Sequence, residues 1–211
     1  MSEAITFYTN PMSRGQIARW MLEEVGQPYD MVILDYGDEG MKKADYRAIN
    51  PMGKVPAIVH NGKTVTEAAA ICAYLADAFP DAGLAPPPAE RADYYRWLFF
   101  AAGPLESAVT NKALGFVVPD GRERMAGYGS FEDAVAAIEA AVSGDRWICG
   151  SQFTAADVYV GAQIDWGLTF KSIPTRPAFE AYAARLRVRP AYKRQKELDG
   201  ALIAEMQAAG A

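Results

Sequence analysis

Over residues 1–80 the chain alternates short apolar runs with longer runs of helical period. Ile5-Thr6-Phe7-Tyr8-Thr9 is rich in β-branched and aromatic residues and predicts a strand. Asn10-Pro11-Met12-Ser13 breaks it. Ile17, Trp20, Met21 and Val25 then recur at helical spacing, and Gly26 stands where a helix commonly ends in a left-handed residue. Met31-Val32-Ile33-Leu34 is a continuous apolar run that predicts a second strand. The helix-length connection between the two strands predicts parallel pairing in a βαβ unit. Gly37 to Ile49 is polar, with Lys42, Lys43 and Arg47, and predicts a short irregular helix. Ala57-Ile58-Val59 and Thr64-Val65 flank Asn61-Gly62, a strong hairpin signal. A helix follows from Glu67 to about Phe79, with Ile71, Tyr74, Leu75 and Ala78 on one face. The order is β-α-β-α-β-β-α, an α/β domain over residues 1–80 with a four-stranded mixed sheet.

The pattern changes after a proline-rich linker at 81–88. From residue 89 to 211 no strand pair is evident, and the chain reads as an all-α domain. Glu90 to Leu114 is aromatic and helical, interrupted by Gly103-Pro104, where a kink is expected. Phe131–Val142, Thr154–Phe170, Arg176–Arg187 and Pro190–Gln207 are further helices. Phe153-Thr154-Ala155-Ala156-Asp157-Val158 has the form of a capping box, with Thr154 as cap and Asp157 returning a bond. Phe153 and Val158 are placed to pack as a hydrophobic staple.

Composition narrows the function. The 211 residues are 51% hydrophobic and 22% charged, an ordinary globular balance. The net charge of -5 argues against a nucleic-acid-binding face. No run reaches membrane-spanning length, and the N-terminus lacks the pattern of a signal peptide. The expectation is a cytoplasmic protein without nucleic-acid or membrane partners. Two distant cysteines, Cys72 and Cys149, and one histidine, His60, make neither a disulfide framework nor a metal site. His60 adjoins the Asn61-Gly62 turn and reads as a surface residue. The basic run Arg185, Arg187, Arg189, Lys193, Arg194 and Lys196 reads as a solvated helix face.

The most informative stretch is Asn50 to Leu75. Val55-Pro56 stands at the mouth of an apolar strand, where proline removes a ladder donor. A cis bond there would turn Val55 outward and leave its N–H and C=O for an extended ligand. An acidic side chain, Glu67, and the first N–H groups of a helix follow. That combination suits a small peptide carrying an amine at one end and carboxylates elsewhere.

Asn50-Pro51-Met52-Gly53-Lys54-Val55-Pro56, then Thr66-Glu67-Ala68, the proline-rich linker and Phe153-Thr154-Ala155-Ala156-Asp157 occur in the order and at the distances of the cytosolic glutathione S-transferases. The chain resembles that family over nearly its whole length, in its bacterial, serine-type form. The resemblance implies a thioredoxin-like N-terminal domain with a cis-proline at Pro56, a helical C-terminal domain and a homodimer. It implies glutathione as co-substrate and no metal. It assigns the backbone of Val55 to the cysteinyl part of glutathione and Glu67 to the γ-glutamyl amine. Ala68 takes the place of a hydroxyl residue whose N–H meets the γ-glutamyl carboxylate, so one donor is missing. Lys54, or else Lys42 or Lys43, would meet the glycyl carboxylate.

The chemistry requires a thiolate, whereas a free thiol has a pKa of about 8.5. A hydroxyl at the first helix N-terminus can hold the anion, helped by the helix dipole. Ser13 is the leading candidate, and Tyr8 at the end of strand one is the alternative. Met12, with Phe99 and Phe100 from the aromatic run of the helical domain, would wall the electrophile pocket. The expected reaction is thiolate attack on a small hydrophobic electrophile. Glutathione-dependent peroxidase or isomerase chemistry at the same site is an alternative. So is a non-catalytic binding or scaffold protein, which Ala68 favours.

Overall fold

The computed structural model describes residues 4–209. The chain forms two compact units, Met1–Ala82 together with Val188–Ala211, and Gly83–Arg187.

The first unit is built on strands β1 (Ile5–Thr9), β2 (Tyr29–Ile33), β3 (Ala57–His60) and β4 (Lys63–Thr66), in spatial order β2-β1-β3-β4. β1 and β2 are parallel, with Ile5 opposite Tyr29. β3 runs antiparallel to β1 and β4, with Ala57 opposite both Tyr8 and Thr66. Helices α1 (Gly15–Val25), α2 (Ala44–Ile49) and α3 (Ala68–Ala78) complete the predicted order. Ile5, Phe7 and Thr9 of β1 are fully buried, and the alternate residue Tyr8 is half-buried on the other face. That is the period-2 alternation expected of a covered strand. α1 ends as the sequence predicts, with Gly26 at φ 72° and its N–H bonded to the Leu22 carbonyl.

The first unit also contains α9 (Pro190–Ala209), a correction to the sequence reading, which placed all of 89–211 in the helical domain. Its binding to α1 explains the difference. Arg19 and Asp199 form an ion pair at 3.1 Å with both side chains 2% exposed. Arg189 makes two 2.6 Å bonds to the Glu24 carboxylate, and Trp20 stands edge-on to Tyr192. Glu24 also accepts a bond from the Trp20 indole.

The second unit is helical. α4 (Ala92–Phe100) runs through a π turn (Ala101–Leu105) into α5 (Glu106–Leu114), followed by α6 (Phe131–Val142), α7 (Ala155–Thr169) and α8 (Pro177–Arg187). Gly103-Pro104 therefore widens the helix by a π turn, where the sequence suggests a plain kink. Pro104 offers no N–H to the preceding turn, and a π turn absorbs the mismatch. The capping box forms as predicted. Asp157 is fully buried and accepts from the Thr154 N–H at 2.8 Å and hydroxyl at 2.9 Å, the Ile148 N–H at 2.8 Å and the Tyr182 hydroxyl at 2.6 Å. The Phe153 ring stands edge-on to Trp147.

The basic run 185–196 is not a uniform solvated face. Arg185 lies over the rings of Trp147 and Tyr182, Arg187 pairs with Asp165 at 2.7 Å, and Arg189 holds Glu24. No helix among the described residues is long and apolar enough to cross a membrane.

Candidate active site

Strand register brings three segments to one end of the sheet. Ala57 lies opposite Tyr8 on one side and Thr66 on the other. The Asn10–Ser13 turn, the Lys54-Val55-Pro56 segment and the Glu67-Ala68 start of α3 therefore converge there. The Val55–Pro56 bond is cis. Val55 lies outside the strand ladder, and no backbone hydrogen bond joins it to another described residue.

Ser13 is half-buried at the start of α1. Its hydroxyl donates to the Asn10 carbonyl at 2.6 Å, and its oxygen accepts from the Gly15 N–H at 2.9 Å. A serine hydroxyl has one proton. To donate to a sulfur, it must rotate off the Asn10 carbonyl. Asn10 itself is 1% exposed: its Nδ2 donates to the Leu34 carbonyl at 2.9 Å, and its Oδ1 accepts from the Met12 N–H at 2.9 Å. Gly15 is required by close approach, since a Cβ there would lie 2.0 Å from Thr9 Oγ1 and 3.0 Å from Ser13 Oγ.

The turn at Asn50–Gly53 leads into the Val55 segment. Asn50 accepts from the Met52 N–H at 3.1 Å and donates to the Lys54 carbonyl at 2.7 Å. The Tyr46 hydroxyl donates to the same carbonyl at 2.6 Å. Gly53 adopts φ 57° and packs against the Met41 carbonyl, where a Cβ would lie only 2.6 Å away. Burial pushes the Tyr46 phenol up to about 12, so it remains a donor. Two bonds thus fix the carbonyl just before Val55. Tyr46 was not singled out in the sequence. Its weak signal there is an aromatic residue within a polar segment, just before Ile49.

Glu67 is exposed and adopts φ 66°, ψ 120°, a costly conformation for a residue with a Cβ. Ala68 is buried and begins α3, so its N–H points out of the helix start. Such a terminus suits a carboxylate. Lys54 is exposed and precedes Val55 in the chain. Lys42 is used internally, donating to the Met52 and Gly53 carbonyls at 2.9 Å each.

Tyr8 packs on Tyr46 at 5.5 Å between ring centroids, within a small cluster of Met41, Tyr46 and Ala57 that Val55 also joins. Met12 is 51% exposed, and its carbonyl accepts from the Tyr36 hydroxyl at 3.2 Å. Phe99 and Phe100 belong to α4 of the second unit, where Phe99 is 73% exposed and Phe100 stands edge-on to Trp97. His60 corrects the sequence reading. It is buried, with Nδ1 at 3.0 Å from the Tyr74 hydroxyl and its ring over Phe79. Burial pushes both thiols up, Cys149 to about 12 and Cys72 further, so neither is a thiolate at neutral pH. Among the described residues no group of His, Cys, Asp and Glu is placed to hold a metal ion.

Known proteins resemble this chain in sequence and fold. The family model described as "Glutathione S-transferase, N-terminal domain" matches residues 12–78. The glutathione S-transferase GstA of Escherichia coli O157:H7 is 30% identical over 191 residues, covering 87% of this chain and 90% of that protein. A glutathione transferase from Methylococcus capsulatus superimposes with a TM-score of 0.76 at 27% identity, covering 93% of this chain and 98% of its own. A sphingomonad glutathione S-transferase complexed with glutathione gives 0.75 at 27% identity, covering 92% and 98%. With the cis proline, the open Val55 backbone and the Ser13 turn gathered at one end of a four-stranded sheet, this chain belongs to the glutathione S-transferase family.

Proposed function

We propose that the protein is a glutathione transferase in which Ser13 activates the glutathione thiol for attack on a small hydrophobic electrophile. The supporting observation is the meeting, at one end of the sheet, of a Val55 backbone that pairs with no other backbone among the described residues, the N-terminus of α3 and the Ser13 hydroxyl. Val55 pairs with the cysteinyl backbone of glutathione. Glu67 takes the γ-glutamyl amine, the Ala68 N–H its carboxylate, and Lys54 the glycyl carboxylate. The thiol proton leaves to solvent, and Ser13 turns its O–H from the Asn10 carbonyl to the sulfur. The sulfur then forms a bond to the electrophilic carbon as the leaving group departs with the electron pair of the broken bond.

Conjugation of a chromogenic aryl halide and glutathione calorimetry test this. Ser13→Ala should lower the rate at neutral pH about tenfold to a hundredfold, the range expected for a hydrogen bond to a charged group. An unchanged rate and an unchanged bound-thiol pKa would remove Ser13 from the role. A second reading is a glutathione-binding protein without transferase activity. It is favoured by Ala68, which lacks a hydroxyl, and by the internal engagement of the Ser13 proton. Glutathione binding with no turnover of aryl halides, hydroperoxides or isomerisable substrates would select it.

A further inference from the structure

The tripeptide Asn-Pro-Met occurs at 10–12 and again at 50–52, and it folds the same way both times. In each copy the buried asparagine accepts from the methionine N–H, at 2.9 Å and 3.1 Å. In each the asparagine carbonyl also takes the N–H three residues on, from Ser13 at 3.1 Å and Gly53 at 2.8 Å. Each Nδ2 donates to a backbone carbonyl, Leu34 in the first copy and Lys54 in the second. A tyrosine hydroxyl holds each turn a second time, Tyr36 on the Met12 carbonyl and Tyr46 on the Lys54 carbonyl. The copies diverge after the methionine. The first leads into Ser13 and α1, whereas the second turns at Gly53 into Lys54, Val55 and Pro56.

We infer that Asn10 and Asn50 are positioning residues with separate duties, Asn10 setting the hydroxyl that faces sulfur and Asn50 setting the Val55 backbone that holds the peptide. The inference rests on the function proposed above. Its physical basis is that neither asparagine side chain is free to reach a ligand. Both are at most 4% exposed, and both ends of each carboxamide are already bonded to backbone. Each acts through the backbone it fixes. Asn10 bonds directly to the Ser13 hydroxyl through its own carbonyl, so a change in this turn alters the direction of the O–H. Asn50 has no bond to that turn among the described residues and instead fixes the carbonyl preceding Val55.

The test uses Asn10→Asp and Asn50→Asp, which keep the acceptor and lose the Nδ2 donor. Tyr36→Phe and Tyr46→Phe loosen the same two turns while leaving both asparagines in the chain. Two quantities are read on each folded variant: glutathione affinity by calorimetry, and the pKa of the bound thiol from the ultraviolet absorbance of the thiolate. First-turn variants should lower the thiolate fraction at neutral pH, by about tenfold for Asn10→Asp, with affinity nearly unchanged. Second-turn variants should weaken affinity, by about tenfold for Asn50→Asp, with the bound-thiol pKa unchanged. Should an asparagine variant fail to fold, the tyrosine pair carries the comparison in the same directions. Parallel movement of both quantities in both turns, or no movement in any folded variant, overturns the inference. A wild-type chain that binds no glutathione at millimolar concentration overturns the proposed function, and this inference with it. A wild type that binds while its variants move in parallel overturns this inference alone.

Discussion

Glu67 shows how far this site departs from local preference. At φ 66°, ψ 120° its Cβ crowds the backbone, and nothing in the helix start demands a glutamate there. Glu67→Gly and Glu67→Ala both remove the carboxylate, but only glycine relieves the conformation. The glycine variant should be more stable than the alanine variant by about 1 kcal/mol in urea unfolding. Both should bind glutathione more weakly than wild type. Greater stability in the alanine variant would show that the conformation carries no cost. Gly15 makes a second case. A Cβ there must displace the fully buried Thr9 side chain, so Gly15→Ala should cost about 1–3 kcal/mol, measured by denaturation, as overpacking does. The places of Ser13 before α1, of Val55 before β3 and of Glu67 before α3 were legible in the sequence, because turn chemistry and a strand-mouth proline mark them, whereas the roles given to them are proposals. Tyr36 and Tyr46 were not, because hydroxyl-to-carbonyl bonds spanning 24 and 8 residues leave no periodic trace.

At the scale of elements, the start of α7 depends on one buried side chain. Asp157 satisfies four donors within a buried space, and Asp157→Ala would leave all of them unpaired. The expected loss is about 4 kcal/mol or more, at roughly 1 kcal/mol or above for each orphaned donor. Equilibrium urea unfolding of the variant checks it. Burial raises the Asp157 pKa above its ordinary value, against the opposing pull of the bonds from Tyr182, Ile148 and Thr154. The folded state therefore binds this proton more tightly than the unfolded chain. Its contribution is fully present below the unfolded pKa and is lost as pH rises through the raised folded value. Relative to Asp157→Asn, wild type should accordingly lose stability as pH climbs above about 4, the ordinary aspartate range. A difference that does not change with pH would count against the shift. The capping box itself was readable, since its residues are three apart. The π turn was readable only as an interruption, because Gly103-Pro104 marks a break without specifying its form. His60 was misread for a related reason. Its neighbours Asn61-Gly62 signal a surface turn, while its actual partners Tyr74 and Phe79 lie on and just beyond α3.

For the molecule as a whole, the main departure is the return of α9 to the first unit. Helical period located α9, but nothing local indicated its partner. The bond from Arg189 to Glu24 spans 165 residues. The basic run likewise looked solvated because its acidic and aromatic partners lie elsewhere in the chain. The Arg19–Asp199 pair is the buried part of this joint, and burial raises the Asp199 pKa despite the opposing Gln195 bond and the Arg19 charge. Removing one partner should cost about 3–5 kcal/mol, because the other charge stays buried and uncompensated. Arg19→Met combined with Asp199→Leu should lie much nearer to wild type than the sum of the single losses. A double-mutant cycle in guanidinium measures the difference, and simple additivity would sink it.

This joint also bears on how the protein is made. A ribosome delivers the sheet and α1 first, the second unit next and α9 after both. Domains generally fold in the order they emerge. Here the first unit lacks α9 until the second unit has been made, so Arg19 has no Asp199 to meet before then. The emergence of α9 is then the event that completes the first unit. A nascent chain cut or stalled before Val188 would carry a finished helical unit attached to an unfinished one, open to proteolysis at the surface that α9 covers in the full chain.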